Sequence, residues 1–147
     1  SNFFIWMGKR KVRNLLCLNP QFVLTFIEIK AKKYGLRKNF QHRAFDLHSI
    51  TQMKYFGMHK RFFMKENKDS RLESDMSLTN ILQLCGIRDN RLVFSDKGKK
   101  IHEGNPHNAL EDCKLTGECY SRIVHGKCLF PEFAQFKMPD YLGEEEK

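Results

Sequence analysis

The sequence has no long apolar run, and this absence limits what the protein can be. An apolar segment opens the chain at residues 3–7, but it is only five residues long and basic residues follow closely. Such a segment is too short for the core of a secretion signal or for a membrane-spanning helix, so we expect no membrane association. The sequence also lacks an internal repeat, a heptad array and a glycine-rich phosphate loop.

Cysteine is present without the pattern of a disulfide framework. The cysteines are odd in number and irregularly spaced: Cys17, Cys85, Cys113, Cys119 and Cys128. Such thiols are typical of a reducing compartment, so we expect an intracellular, cytoplasmic protein. The last three, together with His125, lack the paired spacing of structural zinc sites, which argues against zinc.

Acidic residues are scarce relative to basic ones. There are 17 Asp and Glu against 26 Lys and Arg, which gives a net charge of +9 and a pI near 9.4. A basic excess favours polyanionic partners through counterion release, and nucleic acid is the first candidate. The alternative is a protein that is merely basic.

The 147 residues suffice for one domain, and an apolar content of 41% permits a packed core.

Apolar periodicity and turn residues predict an α/β chain that is rich in helix. We predict short strands at residues 15–18 and 43–47. Helices are predicted over residues 3–14, 22–34, 48–56, 77–85 and 108–124. Residues 58–75 are charged and are predicted to be a loop or a partly disordered insertion. Residues 89–104 are polar and are predicted to be a surface loop. Two strands alone make no stable sheet, so further strands are expected within or outside this chain.

One segment carries a chemical motif at the start of the last predicted helix. His107 is followed by Ala109, Leu110 and Asp112. This His-x-Ala-Leu-x-Asp pattern resembles the last motif of DnaQ-like (DEDDh) 3′–5′ exonucleases, which have the ribonuclease H-like fold. The resemblance implies that His107 is the catalytic general base and Asp112 a metal ligand. The alternative is a histidine and an aspartate that merely suit the first turn of a helix.

The same resemblance extends, more weakly, to other segments in the family's order. Residues 19–23 occupy the place of its Asn-x-x-Phe-Asp step, residues 44–50 resemble the strand that follows, and residues 76–87 resemble its Ser-Leu helix. The resemblance implies Mg²⁺ or Mn²⁺ as cofactor and the 3′ end of DNA or RNA as substrate. It predicts a partial exonuclease domain over residues 1–128, with an insertion at about 58–75 and a C-terminal tail at 129–147.

The chain departs from the family in two places, and only Asp112 remains of the four metal-binding carboxylates that the resemblance implies. No Asp-x-Glu pair precedes Leu15, since the first acidic residue is Glu28, and Val23 stands where an aspartate is expected. One carboxylate cannot hold two divalent ions against water. We therefore expect an exonuclease fold truncated at its N-terminal strands, with a metal site completed by a preceding segment or a partner chain. A non-catalytic nucleic-acid-binding relative and a small helical interaction protein are the alternatives.

Three further features allow more than one interpretation. Asp46 ends a predicted strand and is a possible ligand, although capping of the helix near His48 is the favoured role. The basic runs 9–11 and 30–33 are solvated faces or contact a substrate. Phe22 and Phe26 are predicted to pack in the core, although aromatic rings of this kind can also stack on bases. The role of the adjacent aromatic pair at 62–63 is open.

Overall fold

The computed structural model describes residues 2–89, 93–94, 100–101 and 108–143. The chain divides into two units, Ser1–Ile50 and Thr51–Lys147. The strands within the described residues form three two-stranded sheets. The larger sheet of a ribonuclease H-like fold therefore stays a prediction. Within the same residues, no helix is long and apolar enough to cross a membrane.

The first unit is built around two short parallel strands. Its elements are α1 (Asn2–Gly8), β1 (Leu16–Cys17), α2 (Pro20–Lys33), β2 (Phe45–Asp46) and the beginning of α3 (Leu47–His59). β1 pairs in parallel with β2, so that Leu16 lies opposite Phe45 and Cys17 opposite Asp46. Both predicted strands are therefore confirmed, and α2 lies in the connection between them.

The first helix is shorter than the sequence predicted. α1 ends at Gly8, whereas the pattern had indicated a helix to residue 14. The chain after α1 is held by long-range hydrogen bonds instead. The amide of Gln41 donates to the carbonyl of Arg13 at 2.9 Å, and the side chain of Asn14 donates to the carbonyl of Arg43 at 2.9 Å. These bonds hold residues 13–14 against the segment that leads into β2.

The region predicted as a loop over residues 58–75 contains regular structure. α3 continues through Gly57, where the sequence had predicted its end, and β3 (Met64–Glu66) then pairs antiparallel with β4 (Leu72–Ser74). The side chain of Asn67 accepts hydrogen bonds from the amides of Asp69 and Arg71, both at 3.0 Å, and so closes the turn. The prediction was wrong because this turn, rather than an apolar alternation, specifies the hairpin.

The remaining elements complete the second unit. They are α4 (Leu78–Leu84), the antiparallel pair β5 (Val93–Phe94) and β6 (Lys100–Ile101), α5 (Ala109–His125), and 3₁₀ turns at Pro131–Phe133 and Asp140–Leu142. A loop was predicted over 89–104, but residues 93–94 and 100–101 form paired strands, and most of the remaining range lies outside the described residues. The side chain of Ser77 caps α4, and Gly126 ends α5 with a φ of 60°, both as predicted.

The apolar core of the second unit lies where α4 packs on α5. Ile81 and Leu82 of α4 are fully buried, as are Cys85 at the C-cap of that helix and Cys119 of α5. The chain then leaves α4 through Gly86, whose φ is 69°. A Cβ atom at Gly86 would lie 2.8 Å from the carbonyl oxygen of Lys137, so the C-terminal segment approaches closely because this position is glycine.

A buried ion pair links three segments of the second unit. Glu118 and Arg122 of α5 are 0% and 1% exposed, and the Arg122 Nε lies 2.7 Å from the Glu118 Oε1. Arg122 also donates to the carbonyls of Cys85 at 3.0 Å and Phe133 at 2.9 Å. The second carboxylate oxygen of Glu118 accepts the amide of Leu129 at 2.9 Å and that of Phe130 at 3.0 Å.

These contacts keep the Glu118 carboxylate ionised. Burial by itself raises the pKa of Glu118, but hydrogen bonds from Arg122, Phe130 and Leu129 outweigh it and lower the pKa below its usual value of 4.5. A carboxylate whose folded pKa is depressed adds stability above its unfolded pKa. This contribution is lost as the pH falls through the folded pKa.

We predict that Arg122→Met strongly destabilises the second unit. The substitution leaves the Glu118 carboxylate buried without its cation, which costs about 3–5 kcal/mol of unfolding free energy. The measurement is urea unfolding at neutral pH, followed by the NMR signals of α5. Lys114→Met is the matched control, because Lys114 pairs with Glu132 at 2.7 Å on the surface and such pairs contribute about 0–1 kcal/mol. Equal effects of the two substitutions would contradict the role assigned to the buried pair.

Candidate functional site

A cleft of about 420 Å³ opens at the carboxyl ends of β1 and β2. It is lined by Leu18, Asn19, Pro20, Gln21, Asp46 and His48. In open α/β sheets, ligands bind in the crevice outside the carboxyl ends of parallel strands. The cleft is therefore the part of this unit where a bound ligand is expected.

The polar groups of Asn19 and Asp46 in this cleft are engaged in capping helices. The Asn19 side chain accepts the amide of Phe22 at 3.3 Å and so caps α2, with Pro20 at the first helical position. Asp46 accepts the amide of His48 at 3.2 Å and the hydroxyl of Ser49 at 2.5 Å. The capping interpretation of Asp46 is confirmed, since each carboxylate oxygen accepts a hydrogen bond from the first turn of α3.

Val23 lies in the first turn of α2, where the resemblance expects a metal-binding aspartate. Its amide donates to the carbonyl of Asn19 at 3.1 Å, as part of the start of the helix. A valine side chain has no oxygen with which to bind Mg²⁺ or Mn²⁺. The residue at this position therefore supplies no metal ligand.

Asp112 lies in the first turn of α5, as the sequence predicted. Its side chain is half-buried, and its amide donates to the carbonyl of Asn108 at 2.9 Å. Asn108 caps the helix by accepting the amide of Leu110 at 3.2 Å. Glu111 and Asp112 both complement the positive end of the helix dipole, so this position suits a structural role as well as a ligand role. His107 lies outside the described residues.

The described part of the chain contains no group of three or more His, Cys, Asp or Glu side chains that could hold a metal ion. Asp112 is the one ligand implied by the resemblance within it, and one carboxylate does not fit a site for two divalent ions. Zinc fits no better, because Cys113 is exposed whereas Cys119 is fully buried on the same helix.

The positive charge is concentrated in the first unit. Residues 1–50 contain ten lysines and arginines but only two acidic residues, Glu28 and Asp46. Residues 51–147 contain 16 basic and 15 acidic residues. The first unit therefore carries +8 of the net +9. Sequence reasoning on the whole chain missed this asymmetry because it averaged the charge over both units.

Exposed aromatic rings accompany these cations on α2. The rings of Phe22 and Phe26 stack with centroids 6.3 Å apart, and the Lys30 Nζ lies 5.3 Å from the Phe26 ring centre. The two phenylalanines are 68% and 52% exposed, so the prediction that they pack in the core was wrong. Their spacing places both on one face of the helix, but spacing does not determine whether another element covers that face.

A second cluster of two aromatic rings and a cation lies on α1 and in the residues that follow it. The rings of Phe3 and Trp6 stack with centroids 6.4 Å apart, and the Arg10 guanidinium carbon lies 4.6 Å from the centre of the Trp6 ring. Trp6 is 51% exposed. Cations placed over exposed aromatic faces are stabilised by the ring quadrupole and remain accessible to an anionic partner.

Comparison of the chain with protein-family models, with curated proteins and with solved structures gives no match.

We predict that Asp46 acts through its hydrogen bonds to α3 rather than through its charge. Asp46→Ala removes the cap and lowers the unfolding free energy of the first unit by about 0.5–2 kcal/mol. Asp46→Ser restores a capping oxygen and recovers most of this loss. Urea unfolding followed by the fluorescence of Trp6, the single tryptophan, measures both variants. A Ser variant as unstable as the Ala variant would show that the carboxylate itself is required.

Proposed function

We propose that this chain is the nucleic-acid-binding part of a DnaQ-like 3′–5′ exonuclease domain and that it binds nucleic acid through its first unit. The concentration of positive charge in residues 1–50 carries this proposal. Each phosphate neutralised by a lysine or arginine releases a counterion, so a unit with this charge gains affinity for a polyanion at moderate salt.

Few acidic groups offset the cations of the first unit. Glu28 forms an ion pair with Lys38, and Asp46 accepts hydrogen bonds from α3. The exposed clusters at Phe22, Phe26 and Lys30, and at Phe3, Trp6 and Arg10, add flat faces on which unpaired bases stack. A surface with both cations and aromatic rings favours single-stranded nucleic acid, whose bases are accessible, over a polyanion that has no bases.

The catalytic half of the proposal rests on the resemblance at residues 107–112. A complete domain would hydrolyse phosphodiester bonds at a 3′ end, with His107 as base and Asp112 as one ligand of Mg²⁺ or Mn²⁺. The remaining carboxylates would come from a preceding segment or a partner chain. We therefore expect binding without hydrolysis from this chain alone.

The second candidate function is that of a relative that binds nucleic acid and has lost catalysis altogether. Val23 at the position of an expected ligand favours it. The two candidates differ in whether added carboxylates restore hydrolysis. Any coding sequence found upstream of Ser1 distinguishes them when it is added to the chain, because an Asp-x-Glu strand that restores hydrolysis is expected only in the first case.

The test is binding of a fluorescent single-stranded oligonucleotide, measured by anisotropy at several salt concentrations. We expect affinity to fall steeply as salt rises, and Lys30→Ala to reduce the slope of log affinity against log salt by about one. Lys68→Ala is the matched control, since Lys68 is an exposed lysine of the second unit. His107→Ala should leave binding unchanged.

A digestion assay with a 3′-labelled oligonucleotide and Mn²⁺ accompanies the binding measurement. We expect no stepwise shortening by this chain. Shortening that His107→Ala abolishes would show that the chain holds a complete site. An affinity that does not depend on the salt concentration would contradict a nucleic-acid site on the first unit. An affinity that changes equally in Lys30→Ala and Lys68→Ala would contradict it as well.

A further inference from the structure

A cavity of about 280 Å³ lies within the second unit. Its lining consists of Tyr55, Phe63, Met76, Asn80, Gln83, Leu84 and Tyr141. None of these side chains is charged, so the cavity does not favour a phosphate or another ion. Its volume lies just below the range for drug-sized ligands, so the ligand is a small one, of the size of a single heterocycle with at most a sugar attached.

Three of the seven lining residues are aromatic, and their rings are held in place. The ring of Tyr55 in α3 meets that of Phe63 edge to face, with centroids 5.2 Å apart and planes at 72°. The hydroxyl of Tyr141 donates to the carbonyl of Leu84 at 2.7 Å, which fixes a third ring at the end of α4. Aromatic faces of this kind stack on flat, uncharged ring systems.

Two carboxamides supply the polar part of the lining. Asn80 and Gln83 are three residues apart on α4 and so lie on the same side of the helix. The Asn80 side-chain nitrogen donates to the carbonyl of Asp75 at 2.5 Å, which orients its amide plane. Gln83 is exposed, and its side-chain amide makes no hydrogen bond to any residue that the structure describes.

A carboxamide presents one donor and one acceptor in a single plane. This arrangement matches the edge of adenine, whose N6 amino group donates and whose N7 accepts. We propose that the cavity binds an adenine base, stacked on its aromatic wall and recognised by the amide of Gln83. The base is offered either by a free nucleoside or by a single strand. This site lies wholly in the second unit and is separate from the strand binding proposed for the first.

The test is titration of the full chain with adenosine, followed by the NMR signals of α4. Purine riboside is the ligand control, because it keeps the ring system and the sugar of adenosine but lacks the N6 amino donor. We expect saturable shifts at Asn80 and Gln83 with adenosine, and binding of purine riboside that is weaker by about tenfold or more. A parallel titration with a short oligodeoxyadenylate distinguishes the two sources. Shifts with both ligands indicate a free nucleoside site, and shifts with the oligonucleotide alone indicate a base presented by a strand.

Gln83→Glu is the decisive variant, because it exchanges the donor group of the amide for an acceptor while keeping the size of the side chain. We expect it to weaken adenine binding about tenfold. Gln135→Glu makes the same change on an exposed residue outside the lining and should have no effect.

The absence of shifts at α4 with both ligands, in a chain shown to be folded, would overturn the proposal. Equal losses from Gln83→Glu and Gln135→Glu would overturn it as well. Neither result bears on the first unit, whose salt-dependent binding is measured separately through Lys30→Ala.

Discussion

The buried pair of Glu118 and Arg122 is the constraint on which the second unit depends. Two ionised groups are removed from water here, and this is tolerable because each makes further hydrogen bonds. Arg122 joins α5 to the end of α4 and to Phe133, while Glu118 holds the start of the C-terminal segment. The same elements, α4 and the C-terminal segment, also contribute to the lining of the cavity proposed to bind adenine, through Asn80, Gln83, Leu84 and Tyr141.

The first unit has short strands and little buried apolar surface. Its two parallel strands are two residues long, and α2 buries only Ala31. Its cations and its stacked rings at Phe22 and Phe26 remain largely in solvent. A unit of this kind is suited to binding, because the exposed charge and apolar area that give it little internal stability are available to a partner.

Local signals in the sequence predicted much of the fold, whereas long-range contacts decided the rest. Ser77 and Gly126 marked helix ends correctly because capping involves neighbouring residues. The hairpin at Asn67 was missed, since its strands are exposed on both faces and show no alternation. Glu118 and Arg122 have the i,i+4 spacing that ion pairs on a solvated helix face also have. The burial of this pair depends on segments that are distant in sequence. The cavity that Tyr141 lines depends on distant segments as well.

The central claim is that nucleic acid binds to the first unit, and hydrogen–deuterium exchange tests it most directly. The full chain is compared with and without a single-stranded oligonucleotide that lacks adenine, so that the cavity of the second unit is not engaged. The account predicts slower exchange within residues 2–50, above all in α2, with residues 108–143 unchanged. Protection confined to the second unit, or absent from both units at a concentration where anisotropy shows binding, would contradict it.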